Sequence, residues 1–195
     1  MISYSQKKLN YLISSVLFSL SFLFIFVGCN KKKVNIENDS QVVSEILGAW
    51  EIKYMSQIEL SSDPGTEYEL YQGEVEVISS TMITFFEDNK YKMEIQSEIN
   101  KLTLLEDAPF SEDDVKQQIE NTLCINGTFL IDQNYLELNG ENVTTLDGSV
   151  FTIKEYSKID SNIGNDKQIT KWTIEGNELI LMDLFGKNQI AYIKQ

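Results

Sequence analysis

A two-residue alternation of apolar and polar side chains, which returns many times after residue 46, is the feature that most limits the fold of this chain. In the first such segment Trp50, Ile52 and Tyr54 take one face, and Glu51 and Lys53 take the other. Successive side chains of a β-strand point to opposite faces, so this period indicates strands with one buried face. Short turn sequences separate the segments, which indicates consecutive hairpins. The chain is therefore predicted to be mainly β, an antiparallel up-and-down meander of about eight to ten strands.

The turn sequences are rich in asparagine, aspartate and glycine, which tolerate the backbone of tight turns. They lie at 87–90, 132–134, Asn139-Gly140, Asp147-Gly148, 175–177 and 185–188. The segment 109–122 departs from the alternation and predicts one short inserted helix, with Ser111 as its N-cap and Val115 and Ile119 as a narrow apolar edge.

An internal repeat supports the hairpin pattern. The segment FLIDQNYLEL (129–138) aligns without gaps with WTIEGNELIL (172–181), so that Phe129 matches Trp172. Each copy has an aromatic residue, a turn and then alternating leucines, which predicts two similar hairpins in a barrel or a strongly curved sheet.

Composition excludes several classes of function. The chain has 30 acidic and 16 basic residues, a net charge of −14, and neither arginine nor histidine. A nucleic-acid partner is not expected because binding to phosphates requires a basic surface. Histidine triads and histidine metal sites cannot exist, and no carboxylate pair stands out, so the sequence predicts no enzyme, no metal and no cofactor. Cys124 lies in a strand-like run, where we expect a small buried hydrophobic residue.

The N-terminus carries a targeting signal. Lys7 and Lys8 precede an apolar stretch from Tyr11 to Val27, which is typical of a secretory signal. The segment FVGC, ending at Cys29, resembles the lipobox of bacterial lipoproteins. This resemblance implies a signal peptide at 1–28 and a lipidated Cys29 with acyl chains such as palmitate. Residues 30–44 are polar without periodicity, so the segment 29–45 is predicted to be the lipidated cysteine and a polar tether. An uncleaved anchor or a plain signal peptide is the alternative interpretation.

The residue after the cysteine is Asn30 rather than aspartate, which by the same resemblance favours the outer membrane. The expected location is therefore the cell envelope, with the membrane contacted through the lipid at Cys29.

The segment Leu47-Gly48-Ala49-Trp50 looks like the glycine-x-tryptophan start of lipocalins, and 172–181 is similar to bacterial lipocalin-like domains. The resemblance implies a lipocalin-like barrel at 46–195, but the arginine that packs over the tryptophan in lipocalins cannot exist here. It also implies a small apolar ligand. Residues expected in the ligand cavity or core are Trp50, Ile52, Tyr54, Tyr91, Met93, Phe129 and Trp172.

Two main functions remain open from the sequence, and a third, weaker candidate is an enzyme that uses paired carboxylates as acid and base. The first is an envelope lipoprotein whose lipocalin-like domain binds a small apolar ligand or serves envelope maintenance. The alternative is a protein-interaction module with a filled barrel and an acidic face for a basic partner, whose identity the sequence does not indicate.

Overall fold

The structure is a computed structural model that describes residues 44–61, 71–160 and 167–195. Cys29, the signal peptide expected at 1–28 and most of the expected tether lie outside the described residues. The first described residues, 44–46, form a helical turn that leads into the first strand.

Within these ranges the chain forms nine strands and two further short helices. The strands are β1 (Gly48–Ser61), β2 (Tyr71–Phe85), β3 (Lys90–Leu104), β4 (Asn121–Asp132), β5 (Tyr135–Thr144), β6 (Val150–Thr152), β7 (Lys167–Glu175), β8 (Glu178–Met182) and β9 (Gln189–Lys194). The helices are α1 (Glu112–Ile119), between β3 and β4, and α2 (Ile153–Tyr156), after β6.

Eight of the strands close into an antiparallel barrel. Neighbours in the chain pair from β1 to β5, β5 then pairs with β7, and β7, β8 and β9 follow in order. The barrel closes where β9 meets β1, with Trp50 opposite Lys194 and Glu51 opposite Ile193. β6 is an extra strand that pairs with β5. The predicted mainly β, lipocalin-like barrel is confirmed as a fold.

The turn signals identify most of the hairpins. Asn89 and Gln133 adopt positive φ at two of these turns, and Gly148, Gly176 and Gly186 do so at three more. The repeat also corresponds to two matching hairpins, since Phe129 pairs with Leu138 in one and Trp172 pairs with Leu181 in the other. The same sequence pattern therefore gives the same strand register twice.

The turn predicted at Asn139-Gly140 is wrong, because these residues continue β5. A register shift in the β4–β5 ladder lies beside them, and Gly127 of β4 stands opposite Gly140. A side chain at position 127 would overlap the carbonyl group of Asn139. Glycine at 127 thus permits a close approach of two strands, which is a second use of glycine in sheets.

The inserted helix is confirmed as α1. The Ser111 hydroxyl accepts from the amide of Asp114, the Asp114 carboxylate accepts from Ser111, and Val115 and Ile119 are buried. The sequence prediction of a single helix missed α2, although Thr152 and Glu155 form the same reciprocal cap there. A threonine followed three residues later by a glutamate is a helix-start signal that could have found it.

Two hydrophobic clusters form the core. The first cluster lies inside the closed barrel, and its largest fully buried side chains are Trp50, Tyr192, Phe85 and Phe129. The second cluster lies under α1, where the ends of β1, β2 and β3 extend past the other strands, and consists of Leu60, Val75, Val77, Val115 and Ile119.

Candidate functional site

All seven core or cavity candidates from the sequence meet in the first cluster. Trp50, Tyr91, Met93, Phe129 and Trp172 are buried members of it, and Ile52 and Tyr54 pack against it with partial exposure. The prediction that both tryptophans face inward is confirmed by this burial. Whether these residues contact a ligand stays a prediction.

Trp50 joins three parts of the chain at the closure point of the barrel. Its side chain is completely buried, and its indole N–H donates to the carbonyl of Ile46 at 2.7 Å. The ammonium nitrogen of Lys194 lies 5.0 Å from the centre of the Trp50 ring, within the range of a cation–π contact. A cation therefore does pack over this tryptophan, although it is a lysine.

A band of hydroxyl groups separates the two clusters. Along the inward face of β2, Val75 and Val77 belong to the second cluster, Ser79 and Thr81 follow, and Ile83 then belongs to the first. Strand register places Tyr54 of β1 opposite Ser79, and Ser97 of β3 on its other side. We call Tyr54, Ser79, Thr81 and Ser97 the hydroxyl band.

Two members of the hydroxyl band have buried oxygen atoms without a partner. The Oγ atoms of Ser79 and Ser97 lie 3.4 Å apart and can share one hydrogen bond. The phenol oxygen of Tyr54 and Oγ1 of Thr81 are buried with no hydrogen-bond partner, and Thr81 is only 1% exposed. A buried polar group without a partner costs about 1–3 kcal/mol, so such groups indicate a bound water or ligand atom.

Burial also raises the pKa of three tyrosines in or against the first cluster. It raises the pKa of the Tyr54 phenol, and the neighbouring Ser79 hydroxyl offsets part of that rise without meeting the geometry of a hydrogen bond. Burial and the nearby Tyr54 raise the pKa of Tyr192, and burial raises that of Tyr91. All three phenols are therefore neutral donors near pH 7.

A third buried donor without a partner lies in the first cluster. The indole N–H of Trp172 has no acceptor, in contrast to that of Trp50. Tyr54, Thr81 and Trp172 can each donate a hydrogen bond, so a single acceptor atom in the interior would remove part of the cost of burying them.

In the part of the chain that the structure describes, no glutamate or lysine is buried. The one buried charged side chain there, Asp183, lies in the β8–β9 turn and accepts hydrogen bonds from the amides of that turn. No three carboxylate or cysteine side chains of the described residues come together as metal ligands. Cys124 is half-buried on the outer face of β4, opposite Glu94, so its expected core position is wrong.

The aromatic residues of this site were predicted from the sequence, whereas most of its polar residues were not. Ser79, Thr81 and Ser97 were not candidates, although each lies at an inward position of an alternating strand. Small hydroxyl residues at core positions of two successive strands were the available signal. Whether these residues lie next to one another depends on the strand register, which the alternation of apolar and polar residues does not determine.

Comparison of the chain with protein-family models and with curated proteins gives no match. Within the described residues, no helix combines the length and the apolar character needed to cross a membrane.

Proposed function

We propose that this protein is a lipid-anchored protein of the bacterial cell envelope whose lipocalin-like barrel binds one small, mainly apolar molecule. The observation that carries this proposal is the hydroxyl band, which places two buried hydroxyls without partners between two hydrophobic clusters. Small-molecule sites commonly combine an apolar lining with a few polar groups that orient the ligand.

The ligand we propose is electrically neutral and carries a hydrogen-bond acceptor. Tyr54 and Thr81 supply donors, and no lysine lies among the buried residues of the described chain. A carboxylate in this interior would be buried without a cation, which costs far more than burying a neutral oxygen. Alcohols, esters and ketones of long-chain or cyclic hydrocarbons match this description better than free fatty acids do.

The contact between Lys194 and Trp50 supports the lipocalin-like part of the proposal. The resemblance implies a cation over the tryptophan that opens the first strand, and Lys194 supplies one from the last strand. A lysine gives a single charge and no planar fork, so it retains the cation–π contact without the bidentate hydrogen bonds of an arginine.

The anchor is tested by labelling. Cells that express the full chain are given an alkyne-bearing palmitate analogue, and incorporation into the protein is measured. Cys29→Ala should abolish labelling, whereas Cys124→Ala should leave it unchanged. Equal labelling of the Cys29→Ala variant would contradict the lipoprotein assignment.

A filled barrel that acts as a protein-interaction module is the second candidate. It is favoured by the large side chains of the first cluster, since an eight-stranded barrel is just wide enough to be filled by its own side chains. Native mass spectrometry of the full chain, extracted with mild detergent, separates the two candidates. A co-purified neutral molecule supports ligand binding. A protein that carries no small molecule and does not bind added retinol supports the filled barrel.

A further inference from the structure

The outer edge of β1 has backbone groups with no strand beside them among the described residues. β1 pairs with β2 along its whole length, but it pairs with β9 only at Trp50 and Glu51. From Lys53 to Glu59, this second edge faces none of the strands that the structure describes. We call residues 53–59 the open edge.

The strand geometry shows which groups point outward. The amide of Gln195 donates to the carbonyl of Ala49 at 2.9 Å, on the β9 side of β1. Both backbone groups of a residue in an antiparallel ladder point to the same side, so the odd-numbered residues of β1 face this side. The residues whose N–H and C=O groups point out of the open edge are Lys53, Met55, Gln57 and Glu59.

Exposure indicates that this edge is accessible. The inward-facing residues Ile52, Tyr54 and Ile58 of β1 are half-buried, whereas the residues opposite them on β2 are fully buried. On the outer face Met55 is 62% exposed. An exposed strand edge of this kind is a template for pairing with another strand.

We propose that the open edge pairs with the open edge of a second copy of the chain, antiparallel and about a twofold axis at Ser56. Lys53 then lies opposite Glu59 of the second copy, and Met55 lies opposite its Gln57. Every outward backbone group of the open edge gains a hydrogen-bond partner, and the two barrels share one continuous sheet. The interface is the same patch on both copies, as a closed dimer requires.

The charges select this register over its neighbours. A shift of two residues in one direction places Glu51 opposite Glu59, which sets like charges face to face. The same shift in the other direction leaves Lys53 opposite Ser61. A shift of one residue would place inward-facing side chains of one copy opposite outward-facing side chains of the other. The register about Ser56 is the one that forms two opposite-charge pairs.

The ends of β1 also suit a pairing of this length. A register shift between Leu60 and Ser61 interrupts the regular strand just beyond Glu59. If the pairing continued past Glu59, Ser61 of the second copy would have to lie opposite Glu51. That edge of Glu51 already pairs with Ile193 of β9. The regular strand therefore ends where further pairing would be blocked.

Charge reversal tests the interface. The full chain in mild detergent is studied by sedimentation velocity, with circular dichroism to confirm that each variant folds. We expect the wild type to dimerise and Lys53→Glu or Glu59→Lys to raise the dimer Kd about tenfold. The double variant Lys53→Glu/Glu59→Lys should restore the wild-type Kd. A monomeric wild type, or a dimer unaffected by either single reversal, would overturn the proposal.

Cross-linking tests the register independently. Across the twofold axis the two Ser56 Cα atoms would be about 4.5 Å apart, which a disulfide can span. In a Cys124→Ser background, Ser56→Cys should form a disulfide-linked dimer under mild oxidation. The matched variant Ile58→Cys lies on the same face as Ser56 and outside the charge pairs, and it should show no more dimer than the Cys124→Ser parent, because its two copies lie four residues apart along the pairing, at about 14 Å. Equal cross-linking of both variants would reject this register.

Discussion

Lys194 and Trp50 stack across the junction that closes the barrel, with the lysine nitrogen 5.0 Å from the centre of the indole ring. The indole N–H of Trp50 donates to the carbonyl of Ile46, in the helical turn before β1. One buried tryptophan thus connects the first strand, the last strand and the segment that enters the fold.

Removal of the cation over Trp50 should weaken the closure. We expect Lys194→Met to lower the free energy of unfolding by about 0.5–1 kcal/mol, the range for an exposed cation–π contact. Lys194→Arg should retain wild-type stability, because a guanidinium also stacks on an indole ring. Urea unfolding followed by circular dichroism measures both variants. Equal losses for methionine and arginine would show that the charge is irrelevant.

Substitution by phenylalanine should lower stability by different amounts at the two tryptophans. Trp50→Phe removes a buried hydrogen bond and leaves the Ile46 carbonyl without its donor, whereas the indole N–H of Trp172 has no acceptor to lose. We expect Trp50→Phe to cost about 1 kcal/mol more stability than Trp172→Phe. Trp50→Ala should cost about 3–5 kcal/mol, as for other large buried aromatic residues. Thermal unfolding of the three variants gives the comparison, and equal costs for the two phenylalanine variants would contradict it.

Local sequence patterns predicted much of this fold because strands and hairpins leave short-range signals. The alternation of apolar and polar residues predicted that Trp50 is buried. The internal repeat predicted that Phe129 and Trp172 take equivalent positions in two similar hairpins. The turn prediction at Asn139-Gly140 was wrong because an asparagine-glycine pair occurs both in tight turns and where two strands approach closely. The contact between Lys194 and Trp50 could not be predicted from the residues, since it depends on how the last strand closes the barrel.

The approach of β4 and β5 can be tested at Gly127. A methyl group there would overlap the Asn139 carbonyl, which belongs to the backbone and cannot move aside cheaply. At Gly140 the nearest atoms belong to the flexible side chain of Ile153, at 3.0 Å. We expect Gly127→Ala to destabilise by about 1–3 kcal/mol, the usual cost of overpacking, and Gly140→Ala to cost less. Chemical denaturation ranks the two variants, and the reverse order would contradict the geometry.

Asp183 should make the free energy of unfolding depend on pH in the acid range. Burial disfavours its charge, but hydrogen bonds from the amides of Lys187, Asn188 and Phe185 and from the Asn188 side chain outweigh burial and lower its pKa. A carboxyl with a lowered pKa stabilises the fold above its usual pKa of 3.8, and this contribution is lost as the pH falls through the lowered value.

Asp183→Asn should therefore be less stable than the wild type at pH 7, and the difference should shrink steadily below about pH 4. The exposed Asp107 provides a matched control, since Asp107→Asn should leave stability nearly unchanged at pH 7. Urea unfolding across this pH range measures both variants. A difference between Asp183→Asn and the wild type that stays constant down to acid pH would show that the carboxylate charge contributes nothing.

Thr81→Val should improve stability while it impairs ligand binding. Valine has nearly the same shape as threonine and removes a buried hydroxyl that has no partner in the unliganded fold. We expect the free energy of unfolding to rise by about 1 kcal/mol. Thr84→Val makes the same change on the outward face of β2 and should alter neither property.

Retinol binding, followed by quenching of tryptophan fluorescence in the full chain, tests the proposed ligand site most directly. Retinol and retinoic acid share one hydrocarbon skeleton and differ in a neutral or a charged end. We expect retinol to bind the wild type and Thr84→Val equally, to bind Thr81→Val about tenfold more weakly, and to bind better than retinoic acid. Equal affinity of Thr81→Val and the wild type, or a preference for the acid, would contradict binding of a neutral ligand at the hydroxyl band.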